Sequence, residues 1–211
     1  MNELILRESK DKTIRHYAKD VEGAAKSLLS IINDILDISK IESGKLTVIS
    51  AEYDLGAVIR DVVNMMSFKA KVKGLEFVVL VDESIPAKLM GDDIRLRQIL
   101  VNLLNNAVKY THEGSVRLEL NAVRADSDNT VKLHFSVKDT GIGIKEEDLQ
   151  KLCEPFERIE EKRNRNIEGT GLGMSITKQL LGLLNSELIV RSEYGEGSEF
   201  SFDLVQEIVD A

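Results

Sequence analysis

The sequence has a single cysteine, Cys153, so no disulfide can form within the chain. Its three histidines, His16, His112 and His134, do not fall at metal-ligand spacing, which argues against a structural zinc site. No apolar run approaches the roughly 18–20 residues of a membrane-spanning helix, and no charged-then-apolar leader opens the chain. Net positive charge is absent as well. The formal charge is −8, and an acidic surface lacks the basic footprint of nonspecific nucleic-acid binding. One local basic cluster for a phosphorylated ligand remains compatible with that balance. The 43% of apolar residues exceeds what a disordered chain carries. A length of 211 residues allows one full domain plus an appendage, or two small domains. The chain reads as a soluble, cytoplasmic-type piece of a longer protein whose membrane anchoring is left open.

Residues 13–42 contain no proline and only one glycine, Gly23. Ile14, Val21, Leu28 and Ile35 recur every seven residues, and so do Tyr17, Ala24, Ile31 and Ile38, offset by three. Ala18, Ala25, Leu29, Ile32 and Leu36 widen this stripe beyond a two-stranded seam, as a four-helix bundle requires. A coiled-coil spacer is the plainer alternative. Met1–Ser9 is also helical in character, Lys10-Asp11-Lys12 reads as a turn, and Gly44 is placed for a left-handed helix cap. His16 has no acidic neighbour evident in this pattern and reads as a surface residue.

From Thr47 the texture changes. Thr47–Tyr53 reads as a strand, and Asp54 as the cap of a helix reaching Lys73-Gly74. Leu75–Val81 reads as a strand. Pro86 and Gly91 punctuate a loop, and Asp92 caps a helix ending near Tyr110. Ser115–Val123 and Val131–Lys138 alternate as an antiparallel hairpin. A helix over Gly171–Leu184 and strands over Glu187–Ser192 and Ser198–Val205 complete the order. This predicts an α+β fold, a two-layer sandwich with one mixed sheet and helices on one face, preceded by a long bundle helix.

Four local signals carry chemistry. Asn102 and Asn106, four residues apart, share one helix face although helix interiors disfavour asparagine. Their amide oxygens are hard, neutral ligands suited to Mg²⁺, and Lys109 offers charge to phosphates. An incidental polar face explains the pair equally well. Asp139-Thr140-Gly141-Ile142-Gly143-Ile144 follows a strand, where a carboxylate can accept from an exocyclic amine and the glycines let backbone close on a ligand. Gly169-Thr170-Gly171-Leu172-Gly173-Met174 opens a helix, where free N–H groups and the dipole favour an anion. Neither the phosphate-loop spacing nor the dinucleotide fingerprint is present. Gly195-Glu196-Gly197 turns between two strands.

Each signal alone is weak, but their order is specific. It resembles the boxes of the GHKL ATPase superfamily. Within that superfamily, Asn106-Ala107-Val108-Lys109-Tyr110-Thr111, Pro155-Phe156-Glu157-Arg158 and the run from Asn33 to Gly44 resemble the histidine kinases, and the last of these is similar to the second bundle helix in the style of hybrid sensor kinases. The resemblance covers essentially the whole chain. It implies residues 1–46 as truncated dimerisation and phosphotransfer helices and residues 47–207 as a catalytic ATP-binding domain. The implied cofactors are ATP and Mg²⁺. Asn106 would ligate the metal, and Asn102 and Lys109 would act in the transfer itself. Tyr110 would line the phosphate and sugar side, and Asp139 would accept from the adenine amine. Gly141, Gly143 and Ile144 would shape the adenine pocket. Phe156 would anchor a lid over roughly residues 145–168, and Gly169, Thr170, Gly171, Leu172 and Gly173 would wrap the phosphates. The charged run Arg158–Asn166 fits a segment ordered by ligand or, equally, a solvated loop.

One departure matters. The family's acceptor histidine sits in a Ser-His-Glu-x-Arg-x-Pro-Leu stretch, and none occurs here. The acceptor would then lie upstream of Met1. The implied partners are the acceptor bundle of a related chain, a response-regulator receiver domain, and a second copy bound weakly through residues 13–42. Nucleic acid and membrane are not among them. Two other classes compete: a GHKL hydrolase, which needs a carboxylate base near the asparagine helix, and a nucleotide-binding module without turnover. Phosphate release would mark the first, and failure to label a supplied acceptor the second.

Overall fold

A computed structural model describes residues 2–123, 129–157 and 170–209. The chain divides into two compact units, Met1–Leu46 and Thr47–Ala211.

The first unit is a helical hairpin. Helix α1, Asn2–Glu8, is followed by helix α2, Lys12–Glu42. The Asp11 carboxylate starts α2 by accepting from the N–H groups of Thr13 at 2.7 Å and Ile14 at 3.3 Å. The helix ends where predicted, with Gly44 left-handed at φ +64° and the Lys45 N–H returning to the Lys40 carbonyl at 2.9 Å. The short α1 shields little of α2. Asn2 Nδ2 donates to the Ala18 carbonyl at 2.7 Å, and Ala18 is buried, while Val21, Leu28, Leu29, Ile35 and Leu36 of the stripe remain exposed.

The second unit is built on one mixed seven-stranded sheet. Its elements run β1 Ala51–Asp54, α3 Leu55–Lys73, β2 Glu76–Val81, β3 Lys88–Gly91, α4 Asp93–Tyr110, β4 Ser115–Val123 and β5 Thr130–Asp139. They continue with α5 Glu146–Leu149, α6 Gly173–Leu183, β6 Ile189–Glu193 and β7 Gly197–Ile208. The strand order is β1-β3-β7-β5-β4-β2, with β6 also paired to β7. Among the described residues only β2 and β4 pair in parallel. The twelve residues of β7 serve three neighbours: β5 along one edge, and on the other β6 near its start and β3 near its end.

Alternation along the central strands sets the layers. Leu133, Phe135 and Val137 of β5 and Phe200, Phe202 and Leu204 of β7 are buried on one face, where Phe135 and Phe202 stack at 4.8 Å between ring centroids. The buried faces of α3, α4 and α6 complete this core, including Val58, Met66, Ile99, Leu103, Leu104 and Ile176. Each fully buried aliphatic side chain contributes about 1.5–3 kcal/mol over exposure. The opposite face is polar: Asp203 is held between Lys132 at 2.8 Å and His134 at 2.7 Å. This is the predicted fold, a mixed sheet with helices on one face.

Two local expectations are corrected. Residues 47–50 are not strand. The Ile49 N–H donates to the Asp92 carboxylate at 3.0 Å instead of to a neighbouring strand. The loop expected between Pro86 and Gly91 contains β3, because Lys88–Gly91 pairs with both β1 and β7. Four residues bounded by proline and glycine have no periodicity of their own, and only long-range partners make them a strand.

Candidate functional site

Helix α4 presents the asparagine face. Its cap is Asp92, whose Oδ1 accepts from the Arg95 N–H at 3.0 Å. Leu96, Leu100, Leu103 and Ala107 bury one side of the helix, leaving Asn102, Asn106 and Lys109 half-buried on another. Across from them lies the start of α6. Asn102 Nδ2 donates to the Gly173 carbonyl at 3.4 Å, and Asn106 Nδ2 reaches Met174 Sδ at 3.1 Å. Both amide nitrogens are therefore turned toward α6. Among the described residues neither amide oxygen receives a hydrogen bond. Two amide oxygens without protein donors fit the ligation of a hard cation. Lys109 Nζ sits 4.6 Å from the centroid of the Tyr110 ring, which keeps the ammonium beside this face.

Helix α6 has no side-chain cap at its N-terminus. Thr170 Oγ1 takes the Leu172 N–H at 3.1 Å, and Ser175 Oγ and Thr177 Oγ1 bond back to the Leu172 and Gly173 carbonyls at 2.8 Å each. The first turn thus keeps N–H groups available at the positive end of the helix. A Cβ on Gly173 would come no nearer than 3.8 Å to the Asn102 side chain, so that position is open.

Asp139 ends β5 in a buried position. Burial pushes its carboxyl up to about 6, against the opposing pull of backbone hydrogen bonds from Gly141 and Ser198. Its Oδ1 accepts from the Gly141 N–H at 2.8 Å. The loop beyond is fastened on several sides. Ile142 N–H donates to the Tyr110 carbonyl at 3.2 Å, and Gly195 N–H to the Ile142 carbonyl at 2.8 Å. Ile144 N–H donates to Ser192 Oγ at 2.8 Å, and that hydroxyl donates to the Gly197 carbonyl at 2.9 Å.

The glycines here also have a physical reason within the protein itself. A Cβ on Gly141 would fall 2.5 Å from the Tyr110 carbonyl oxygen. On Gly143, at φ +65°, it would collide with the Glu193 carbonyl, and on Gly171, at φ +72°, it would meet the Phe156 backbone at 2.9 Å. These positions need glycine because protein backbone approaches protein backbone. Phe156 itself has φ +66° and an exposed ring, and its N–H donates to the Gly171 carbonyl at 3.2 Å. Leu172 is fully buried. Gly169 and the charged run Arg158–Asn166 lie outside the described residues.

The structure therefore sets Asn102 and Asn106 of α4 against Gly173 and Met174 at the start of α6, with Lys109 and Tyr110 further along α4. It sets the loop holding Asp139, Gly141, Gly143 and Ile144 against the Tyr110 carbonyl. Sequence reasoning missed Ser192, whose hydroxyl joins the loop to the Gly197 turn, and no local pattern announces it. The carboxylates at the start of α4, Asp92 and Asp93, lie two or more turns before Asn102. Asp92 is committed to the helix cap and Ile49, and Asp93 lies 3.8 Å from Arg97. His16 is corrected in one respect: its Nε2 lies 3.5 Å from Asp20 one turn on, so it has an acidic neighbour, and it is exposed.

An asparagine face, an uncapped glycine-rich helix start and a buried strand-end carboxylate thus belong to one domain built on a mixed sheet. Residues 91–208 match the family described as histidine kinase-, DNA gyrase B- and HSP90-like ATPases. The chain belongs to this family. It is 41% identical over 202 residues to the hybrid signal transduction histidine kinase L of Dictyostelium discoideum, covering 95% of this chain and 12% of that protein. It is 40% identical over 188 residues to the sensor histidine kinase GacS of Pseudomonas protegens, covering 89% of this chain and 20% of GacS. The chain thus spans a fifth or less of these relatives. A crystal structure of full-length ShkA in complex with AMPPNP superimposes with a TM-score of 0.80 at 30% identity, covering 100% of this chain and 42% of ShkA. Among the described residues, no helix is long and apolar enough to cross a membrane.

Proposed function

We propose that this chain binds ATP with Mg²⁺ and presents the γ-phosphoryl for transfer to a histidine outside the chain, as the catalytic part of a two-component sensor kinase. The observation that carries this reading is the meeting of α4 and α6. Asn102 and Asn106 stand against the uncapped helix start at Gly173 and Met174, about 70 residues away in sequence. The amide oxygen of Asn106 would hold the metal, with that of Asn102 beside it. The metal would neutralise phosphate charge. Lys109 and Tyr110 would take the phosphate and sugar side, and the N–H groups of the α6 start with Thr170, Gly171 and Leu172 would cradle phosphate oxygens. Gly169 belongs to the same reading. Asp139 would accept from the adenine amine, beside Gly141, Gly143 and Ile144, and Phe156 would anchor the front of a lid. Catalysis would come from positioning and electrostatics.

Residues 1–46 read as part of a dimerisation and phosphotransfer bundle without its acceptor. The partners are then an intact acceptor bundle, a receiver domain, and a second copy bound weakly along α2. Calorimetry with AMPPNP tests the core of this. Binding should strengthen with Mg²⁺, and Asn106→Ala should abolish that enhancement while ADP still binds without metal. A variant that responds to Mg²⁺ as the parent does would remove Asn106 from the metal site.

A further inference from the structure

Lys73, the last residue of α3, lies outside every motif considered above. Its ammonium has no carboxylate partner among the described residues. Instead Nζ donates to three main-chain carbonyls: Val108 at 2.7 Å, Lys109 at 2.7 Å and Thr111 at 2.9 Å. An ammonium has three protons to give, so this set uses them all. The acceptors are the terminal carbonyls of α4, at the negative end of its dipole. Desolvation lowers the Lys73 pKa from its ordinary value.

The fourth carbonyl of that stretch, Tyr110, points the other way and accepts the Ile142 N–H at 3.2 Å. The same oxygen is the nearest obstacle to a Cβ on Gly141, whose N–H is bonded to Asp139 Oδ1 at 2.8 Å. The end of α4 is thus clamped between a cation on one side and the Asp139 loop on the other. Lys73 is itself held in place. Gly74, at φ +75°, closes α3 with the Leu75 N–H on the Ala70 carbonyl at 2.9 Å, and Glu76 N–H bonds the Gly114 carbonyl at 2.9 Å.

We propose that Lys73 is a positioning residue for nucleotide binding, which through the carbonyls of Val108, Lys109 and Thr111 holds Lys109, Tyr110 and the Asp139 loop in register. This rests on the nucleotide-binding reading above. The effect of Lys73 passes through the turn it fixes. Without its ammonium the last turn of α4 frays, the Tyr110 carbonyl moves, and the Ile142 bond weakens.

The test uses the full chain well below its melting transition. In Lys73→Met the dissociation constant for ADP should rise about tenfold, and the Ile142 amide should exchange with deuterium at least tenfold faster. The Leu133 amide, in the middle of the sheet, should be unchanged. Lys73→Arg, with donors enough for the same carbonyls, should restore most of both. A merely structural lysine would lower the melting temperature and leave the ADP affinity of the folded protein as it was. ADP affinity and Ile142 exchange both within about twofold of the parent would overturn the proposal. Should Lys73→Met fail to fold, Lys73→Gln keeps two donors, and losses intermediate between parent and full effect are expected from it. A parent chain that binds no ADP would instead defeat the nucleotide reading, and Ile142 exchange would still report on the clamp.

Discussion

At the scale of single residues, Asp139 combines burial with a proposed role, accepting from the adenine amine, that needs its charge. A carboxylate is the better acceptor for an amine when ionised, yet its surroundings raise its pKa to about 6. The sign follows directly. The folded state holds this proton more tightly than the unfolded chain, so protonation favours the empty fold as pH falls toward 6 and below. Nucleotide binding as proposed would run the other way, because it would draw on the ionised form. ADP affinity should therefore drop as pH is lowered from 7 through 6. Asp139→Asn should bind roughly ten- to hundredfold more weakly at neutral pH, the worth of a charge-assisted hydrogen bond, and lose most of that pH dependence. Isothermal calorimetry between pH 5 and 8 reads both effects. An Asp139→Asn variant with the affinity and pH profile of the parent would place the adenine elsewhere. Local sequence could name Asp139 as a carboxylate at a strand end. That it is buried, and that Gly141 beside it is needed to clear Tyr110, depends on chain that folds back from other parts of the sequence.

At the scale of elements, α4 is held at both ends by residues of different character. Lys73 gathers its last carbonyls, and Asp92 secures its start. One oxygen of Asp92 caps the helix through the Arg95 N–H at 3.0 Å. The other takes the Ile49 N–H at 3.0 Å and fixes the segment ahead of β1. Asparagine caps helices as well as aspartate does, but its amide has only one accepting atom. Asp92→Asn should therefore keep the cap and release Ile49. Asp92→Ala should lose both and cost about 1–2 kcal/mol more. Urea unfolding gives the stability difference, and exchange of the Ile49 amide reports the release. If the two variants are equally destabilised, the cap does not survive in the asparagine form and the division of labour is wrong. The cap was legible because Asp92 directly precedes an apolar period. The bond to Ile49 was not, since residues 47–50 carry β-forming side chains and look like strand until their backbone partner is known.

At the scale of the whole molecule, two units differ in what they bury. Thr47–Ala211 closes its own core, whereas α2 leaves Val21, Leu28, Ile32 and Ile35 exposed along one stripe. Such a stripe is stable only when covered, and a second copy brings an identical one. The chain should self-associate weakly and with concentration dependence by sedimentation. The double variant Leu28→Asp/Ile31→Asp should be monomeric while binding AMPPNP like the parent. Incubated with labelled ATP and Mg²⁺, both forms should acquire no acid-labile phosphate, since His16 lies outside the acceptor motif, His112 follows α4 and His134 is engaged by Asp203 within the sheet. A parent that remains strictly monomeric at high concentration removes the role given to α2. Labelling that vanishes in His16→Gln would make His16 the acceptor, and the assignment of residues 1–46 would fall.

Much of this protein is written locally. The heptad stripe of α2, the caps at Asp54 and Asp92, the left-handed ends at Gly44 and Gly74, and the hairpin of β4 and β5 follow from side-chain period and backbone preference over a few residues. The ordered boxes were visible too, because each is a short string whose residue types are unusual for their element. The tertiary structure decided what those strings touch. It made a strand of Lys88–Gly91, turned the amide nitrogens of Asn102 and Asn106 toward α6, and assigned Gly141, Gly143 and Gly171 to close contacts between backbone segments. It also brought Lys73 onto the end of α4, some 35 residues away in sequence. The division has one physical cause. Period, caps and turns are short-range properties of the chain, whereas a desolvated carboxylate, a satisfied ammonium and a forbidden Cβ exist only once distant segments have met.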